Sequence, residues 1–346
     1  MNTRPFISVI ISVHRERKQF LHEAVQSVLA QTLDKRLFET IVVMDYEDQE
    51  TTVLLLKKGV ATLTVFDDSR AAKLVEAIRQ CKGDVICFLE DDDKFEENKL
   101  EWVHYLFSSD TSLVFYHNSH SNIDKFGKFI QTNVRQPPRD VLVIEKAVSN
   151  DHVRKSFRSK LGFNMSSISI RKKILENRLS LIGNLNLHID TALFFIALES
   201  NMKIYADDKK LTQYRIHSSA STFLDEKGAF FRKRFVFHKK GLSEYLELSQ
   251  LHLDEKRRQM LEIFIIDWEI HIYLFSNDPQ RIDMMRAALR YVHYVTMLRS
   301  AYPLFINLVA IIYLISPRLA RLLFYLAVST SFATIKRSGN NVNELE

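Results

Sequence analysis

Long apolar runs are what this chain lacks for its size: 46% of its 346 residues are hydrophobic, yet none of them line up into a membrane span. A spanning helix needs about 20 consecutive apolar residues, so an ordinary globular composition is the expectation. Cysteine is scarce too. Only Cys81 and Cys87 occur, at a spacing that fits neither a disulfide framework nor a usual zinc motif, which points to a reducing compartment. The first apolar run, "FISVIISV", is followed at once by charges with no small-residue cleavage site, so it is expected to be a buried strand and not a secretion signal. No stretch rich in glycine, serine or proline divides the first 225 residues, so they are expected to act as one unit. Charge is close to balanced, with 48 Lys and Arg against 42 Asp and Glu, a net +6. The basic excess lies mostly in the second half and sits among apolar residues instead of forming a polar stripe. That argues against nucleic acid as a partner and for an anionic membrane or a phosphate-bearing substrate.

What the chain does have is alternation. "FISVIISV" is continuous and β-branched, as expected of a parallel strand covered on both faces, and "KQFLHEAVQSVLAQT" after it repeats its apolar residues at helical spacing. The pair recurs: "TIVVM" then "QETTVLLLKKG", "ATLTVF" then "SRAAKLVEAIRQCKG", and "DVICFL". This order predicts an α/β fold with a doubly wound sheet, whose ligand lies beyond the carboxyl ends of the strands. Three of those ends carry acids: Asp45, the Asp67–Asp68 pair, and the run Glu90-Asp91-Asp92-Asp93 in "CFLEDDDKF". A solvated loop explains each acid taken singly. Four consecutive carboxylates after an apolar strand instead suggest a bound cation or a metal with a phosphate.

The same stretches resemble a known family, the inverting GT-A glycosyltransferases of family 2. "SVIISVHRERKQFLHEAVQSVLAQT" is similar to the family's opening strand and helix, "FETIVVMDYED" to its second-strand DDGS motif, and "KGDVICFLEDDDKF" to the strand leading into its DxD motif. "HIDTALFFIAL" and "IYADDKKLTQYRIHSSAST" are similar to its late acidic motif and its YRxHxxxxS segment. The resemblance spans residues 6 to about 222 and implies a Rossmann-like nucleotide-sugar-binding domain. A UDP- or GDP-linked sugar is the implied donor, and Mg2+ or Mn2+, suited to all-oxygen ligands, the implied cofactor. Carried over position by position, Asp92 is the implied metal ligand, with Glu90 and Asp93 beside it and Asp91 on the ribose or the metal. Asp45 falls at the second Asp of DDGS and would meet the nucleobase, although Met44 and Tyr46 replace its neighbours and leave the base open. Arg70 is expected near the diphosphate, an exposed arginine at a helix start being the plain alternative. Arg215 and Ser218 are expected on phosphate oxygens, and His217 on the metal or the diphosphate, a structural histidine being the alternative for it. Asp190 matches the general base of the family's "ED" pair, with Ile189 in place of the first acid; a helix N-cap is the plain alternative for it. Neither Trp102 nor Trp268 sits in the QxxRW segment of the processive synthases, so transfer of one sugar per encounter is expected.

From about residue 226 the pattern turns helical, and the expected division is 1–225 catalytic and 226–346 helical. Residues 303–335 hold two apolar runs of roughly a dozen residues, each too short to span a bilayer, split at Ser316-Pro317-Arg318. A hairpin dipping into one leaflet, an interfacial pair, or a helical pair buried against protein all fit. Upstream, Arg281, Arg286, Arg290 and Arg299 alternate with apolar residues as in a basic amphipathic helix, and Arg232, Lys233, Arg234, Lys239 and Lys240 interleave with aromatics. These features suggest a membrane-associating C-terminal region at the cytoplasmic face, peripheral or monotopic, and a glycan or polyprenyl-linked acceptor. Transfer onto bare polyprenyl phosphate and a non-catalytic nucleotide-sugar-binding scaffold are the competing readings. Homo-oligomerisation stays open.

Overall fold

A computed structural model describes residues 5–14, 17–67, 69–130, 141–216, 227–278 and 280–340. The elements run β1 (Ile7–Ser12), α1 (Lys18–Leu29), β2 (Phe38–Met44), α2 (Gln49–Lys57), β3 (Ala61–Thr64), α3 (Arg70–Gln80), β4 (Val85–Glu90), β5 (Lys94–Phe95), α4 (Lys99–Ser109), β6 (Leu113–Ile123), β7 (Leu142–Ile144) and α5 (Asn150–Arg158). They continue with β8 (Ile168–Arg171), α6 (Lys173–Glu176), α7 (Leu179–Gly183), α8 (Ile189–Glu199), β9 (Lys203–Arg215), α9 (Lys227–Glu247), α10 (Glu255–Phe275), α11 (Arg281–Leu298), α12 (Ala301–Ile315) and α13 (Pro317–Asn340). Two compact units result: one holds the nine described strands with α1–α4 and α6–α8, the other α5 and α9–α13.

In the first unit the strands form one sheet in the order β3-β2-β1-β4-β8-β6-β9-β5, with β7 also on β9. β3, β2, β1 and β4 are parallel, and β8 joins antiparallel to both β4 and β6. All six residues of β1 are buried, and so are Val85–Leu89 of β4. Helices on both faces explain why these strands read as continuous apolar runs instead of alternating ones. The mixed sheet with its flanking helices is the GT-A-like α/β fold expected. Because β1 lies between β2 and β4, the strand order reverses at the β1–β4 junction, and the crevice there is where such sheets bind ligands. In-register pairing of Ser12 with Glu90 brings the two strand ends level.

Local chemistry starts the flanking helices. Asp48 caps α2, its side chain accepting from Thr51 N at 3.0 Å, and Ser69 caps α3 through Ala72 N; both satisfy amides that the first helical turn leaves open. Cys81 and Cys87 are buried and form no disulfide.

In the second unit α10 is the centre. Its Asp267 accepts from Tyr291 Oη at 3.0 Å and Tyr302 Oη at 3.3 Å, tying α10 to α11 and α12. The aromatics of the basic run pack inward: Phe230 lies against Phe275 and Tyr325, and Phe237 against Trp268. The 303–335 segment forms α12 and α13, with Pro317 at the first position of α13, where a missing N–H is without cost. No described helix is long and apolar enough to cross a membrane.

Gly83, just before β4, lies so close to β1 that an added Cβ would sit 2.4 Å from the Ser8 backbone nitrogen and 2.9 Å from the Ile7 carbonyl carbon. Ser8 Oγ, at 2.6 Å, could turn away, but the two backbone atoms belong to the central strand of the sheet and cannot. Gly83→Ala should therefore lower the unfolding free energy by roughly 2–3 kcal/mol, measured by chemical denaturation; unchanged stability would mean that the two strands separate more easily than their packing implies.

Candidate functional site

The acidic run leaves β4 in a tight turn, with Asp93 N donating to Glu90 O at 3.2 Å. Its four side chains then divide into two groups. Glu90, Asp91 and Asp92 converge on one cation, the guanidinium of Arg17 at the start of α1. Arg17 Nη2 is 3.8 Å from Glu90 Oε2, and Nε is 3.3 Å from Asp91 Oδ1; Nη1 pairs with Asp92 Oδ2. Asp91 also accepts from the His14 amide at 2.6 Å. Burial pushes the Asp91 carboxyl up to about 7 against the pull of Arg17, with Asp92 and Glu90 adding to the rise. The attraction of the three carboxylates outweighs burial at Arg17 and keeps its pKa above the usual arginine value.

Asp93 turns the other way. It is 1% exposed, accepts from Ser166 Oγ at 2.6 Å and from the Arg215 amide at 2.9 Å, and burial with the neighbouring Asp92 raises it well above the carboxylate range. The expectation that it stands among the metal ligands is thereby corrected: a carboxylate closed in by β9 and the Asn164–Ser167 turn does not face the crevice. Arg215 needs the same correction. Its Nε donates to the Asp92 carbonyl at 2.6 Å, its Nη1 to the Asp124 and Lys125 carbonyls, and its Nη2 to Glu23 at 2.9 Å, while the guanidinium lies over the Phe20 ring. Every donor group is committed to holding the strand ends together, so none is turned toward a phosphate. His217 and Ser218 lie outside the described residues.

Asp45, just past β2, is paired with Lys73 of α3 at 2.8 Å, and Lys73 also donates to the Val13 carbonyl at 2.7 Å. Arg70 opens α3 and donates to Glu90 Oε1 at 2.5 Å. Asp190 is the second residue of α8; the N-cap is His188, so the plain capping explanation for Asp190 fails. Its Oδ1 accepts from the neighbouring Thr191 amide. Burial raises the Asp190 carboxyl to about 6, opposed by Arg70, with Glu90 adding a smaller upward push. Glu90, Asp91, Asp92, Arg70 and Asp190 thus fall within one electrostatic neighbourhood, with Asp45 on the adjoining strand end.

Arg17, Lys73 and Ser166 went unnoticed in the sequence. A signal for Arg17 existed: the basic run "HRERK" directly follows β1, and a β1 strand beside β4 puts it opposite the acids. Lys99 left no signal. Buried at the start of α4, it donates to the Ser166 carbonyl and, at 3.1 Å, to Thr212 Oγ1, and burial lowers it to about 7.

Among the described residues no group of three or more His, Cys, Asp and Glu side chains is arranged to hold a metal ion. The donor chemistry still suits a hard divalent cation, since Glu90, Asp91 and Asp92 already share one cation, Arg17.

Residues 8–179 match the model of the family described as glycosyl transferase family 2. Over that span the chain belongs to glycosyl transferase family 2. Among curated proteins it is similar to an uncharacterized glycosyltransferase of Rickettsia felis, 25% identical over 63% of this chain and 34% of that protein. One from Rickettsia bellii is 30% identical over 36% of this chain and 18% of that protein. The family 2 chain therefore spans about a third or less of the length of these relatives. The fold is shared with S. aureus TarS residues 1–349, at a TM-score of 0.59, 14% identity and coverage of 93% and 92% of the two chains. It is also shared with the mannosyltransferase PcManGT of Pyrobaculum calidifontis, solved with GDP-Man and Mn2+, at a TM-score of 0.54, 12% identity and coverage of 92% and 88%.

If Arg215 is a structural tie, Arg215→Ala should lower the unfolding free energy by roughly 3–5 kcal/mol, because it strands a partly buried acid and several carbonyls. Wild-type stability combined with weakened nucleotide binding, read by denaturation and calorimetry together, would return Arg215 to the phosphates.

Proposed function

We propose that the protein is a metal-dependent, inverting glycosyltransferase that moves one sugar from a UDP- or GDP-linked donor to a lipid-linked or cell-surface glycan at the cytoplasmic face of a membrane. The observation that carries this reading is the convergence of Glu90, Asp91 and Asp92 on a single cation at the β1–β4 junction. In a sheet of this topology the nucleotide belongs at that place. Support comes also from fold neighbours solved with UDP-GlcNAc and with GDP-Man and Mn2+.

Glu90, Asp91 and Asp92 would hold the divalent cation, which when bound offsets the charge that develops on the departing nucleoside diphosphate. Arg70, held by Glu90, adds positive charge beside it. Asp190 takes the proton from the acceptor hydroxyl as it attacks the anomeric carbon, and a carboxyl raised toward neutrality is a better base for that proton than an ordinary aspartate. Asp45, paired with Lys73, borders the place expected for the nucleobase.

The membrane part rests on the second unit. Ile282, Met285, Leu289 and Val292 recur along α11 and are exposed, Leu289 at 67%. Leu304, Leu308, Ile311 and Ile315 do the same along α12, Ile315 at 78%. On α11 the guanidiniums of Arg286 and Arg290 are also exposed, the combination expected of helices lying on anionic headgroups.

Calorimetric titration of UDP- and GDP-sugars, with and without Mn2+, should give metal-dependent binding of one nucleotide that Asp92→Ala abolishes; no binding under either condition would remove the transferase reading. Asp190→Asn should bind donor normally and lose transfer by about 100-fold or more. In wild type the transfer rate should rise with pH through about 6, because the base works only when deprotonated, and a profile flat from pH 5 to 8 would rule Asp190 out. Vesicles containing phosphatidylglycerol should co-sediment the protein, neutral phosphatidylcholine vesicles should not, and Leu289→Glu with Ile315→Glu should abolish sedimentation; equal partitioning of wild type and variant would remove the membrane surface.

A further inference from the structure

The cation that the three carboxylates share is part of the chain, and its attachments differ from those of the other arginine at the site. Arg215 is fixed by four protein oxygens and a ring, and its side chain is fully buried. Among the described residues the Arg17 guanidinium has carboxylates as its partners and no backbone carbonyl, and its side chain keeps 24% exposure. The first arginine is a structural tie and the second is removable.

We propose that Arg17 is a resident counter-cation that closes the Glu90–Asp92 site, and that a divalent ion enters by displacing it in concert with the nucleotide diphosphate. This rests on the metal-dependent transferase reading above. Cation–oxygen bonds to Mg2+ or Mn2+ are about 2.0–2.2 Å long. An ion at that range from Asp91 Oδ1 and Asp92 Oδ2 would occupy the space of the guanidinium that now sits against those same oxygens. Two cations cannot share them, so one must leave. Without nucleotide the departing Arg17 loses three carboxylates and gains only water. With nucleotide, the diphosphate supplies oxygens to the ion and a new anion for Arg17. Metal and nucleotide should therefore bind cooperatively, each strengthening the other by the same factor. The metal alone should bind weakly, its affinity reduced by the small fraction of molecules in which Arg17 has already left. The arrangement also explains how three adjacent carboxylates are tolerated in a partly buried crevice before any ligand arrives.

Mn2+ titrations followed by the electron paramagnetic resonance of the free ion test this on the full chain, first without nucleotide and then with saturating UDP or GDP. Arg17→Gln should bind Mn2+ without nucleotide about tenfold more tightly than wild type and show a smaller gain on adding nucleotide. Arg17→Gln combined with Asp92→Asn should lose that binding. Equal Mn2+ affinity for wild type and Arg17→Gln, with both binding, would overturn the displacement while leaving the metal site in place. Absence of Mn2+ binding from both, with and without nucleotide, would overturn the metal-dependent reading and the displacement with it. Should Arg17→Gln fail to fold, Arg17→Lys, which keeps the charge but loses the two-pronged contact, should give an affinity between the two, and a wild-type value for it would count against the proposal.

Discussion

Everything at this site depends on how four consecutive carboxylates are kept together at the end of one strand. Their mutual repulsion in a poorly hydrated crevice is large, and the chain answers it with two arginines and a backbone amide drawn from three different places. Arg17 comes from the start of α1 and Arg70 from the start of α3, while at the end of β9 the backbone amide of Arg215 donates to Asp93. The first helix and the third helix are therefore tied to one short turn by ion pairs, and the last strand of the sheet unit by hydrogen bonds. Asp93 and Arg215 form the inner, permanent part of that arrangement. Glu90, Asp91, Asp92 and Arg17 form the outer part, open to exchange.

That division gives each residue of an apparently uniform run its own role. Alternation along the turn sends Asp93 into the sheet, where Ser166 and the Arg215 amide satisfy it, and leaves its three predecessors facing the crevice. A rigid inner shell beneath an exchangeable outer one is what a site needs if a cation and a diphosphate are to enter and leave without disturbing the sheet. Asp190 approaches from α8, a helix whose apolar residues are buried all round, so the base candidate is held by packing on a fixed element.

Family membership and fold were legible because they rest on local and periodic signals. The β-α alternation from "FISVIISV" to "DVICFL" requires only that each strand be covered on both faces and each helix on one, and the structure follows it with little displacement. The acid at each strand end was legible for the same reason. Less legible was which acids work together. Asp45 and Asp92 were both read at strand ends, with no sign in the sequence that one pairs with Lys73 and the other with Arg17. Asp190 matched the family's base, and the alternative of a helix cap was set aside only when His188 proved to hold that position.

The sequence by itself determined the class of fold, the family, and the placing of carboxylates at the carboxyl ends of parallel strands, because periodicity and strand-end chemistry are properties of neighbouring residues. Only the tertiary structure decided which partner each carboxylate meets. Arg17 and Asp92 are 75 residues apart and Arg215 and Asp93 are 122 apart. Contacts over such distances are set by strand order and register, and above all by β1 lying beside β4. No local pattern encodes that adjacency, so the same arginines could not be sorted from sequence into structural tie and exchangeable counter-ion.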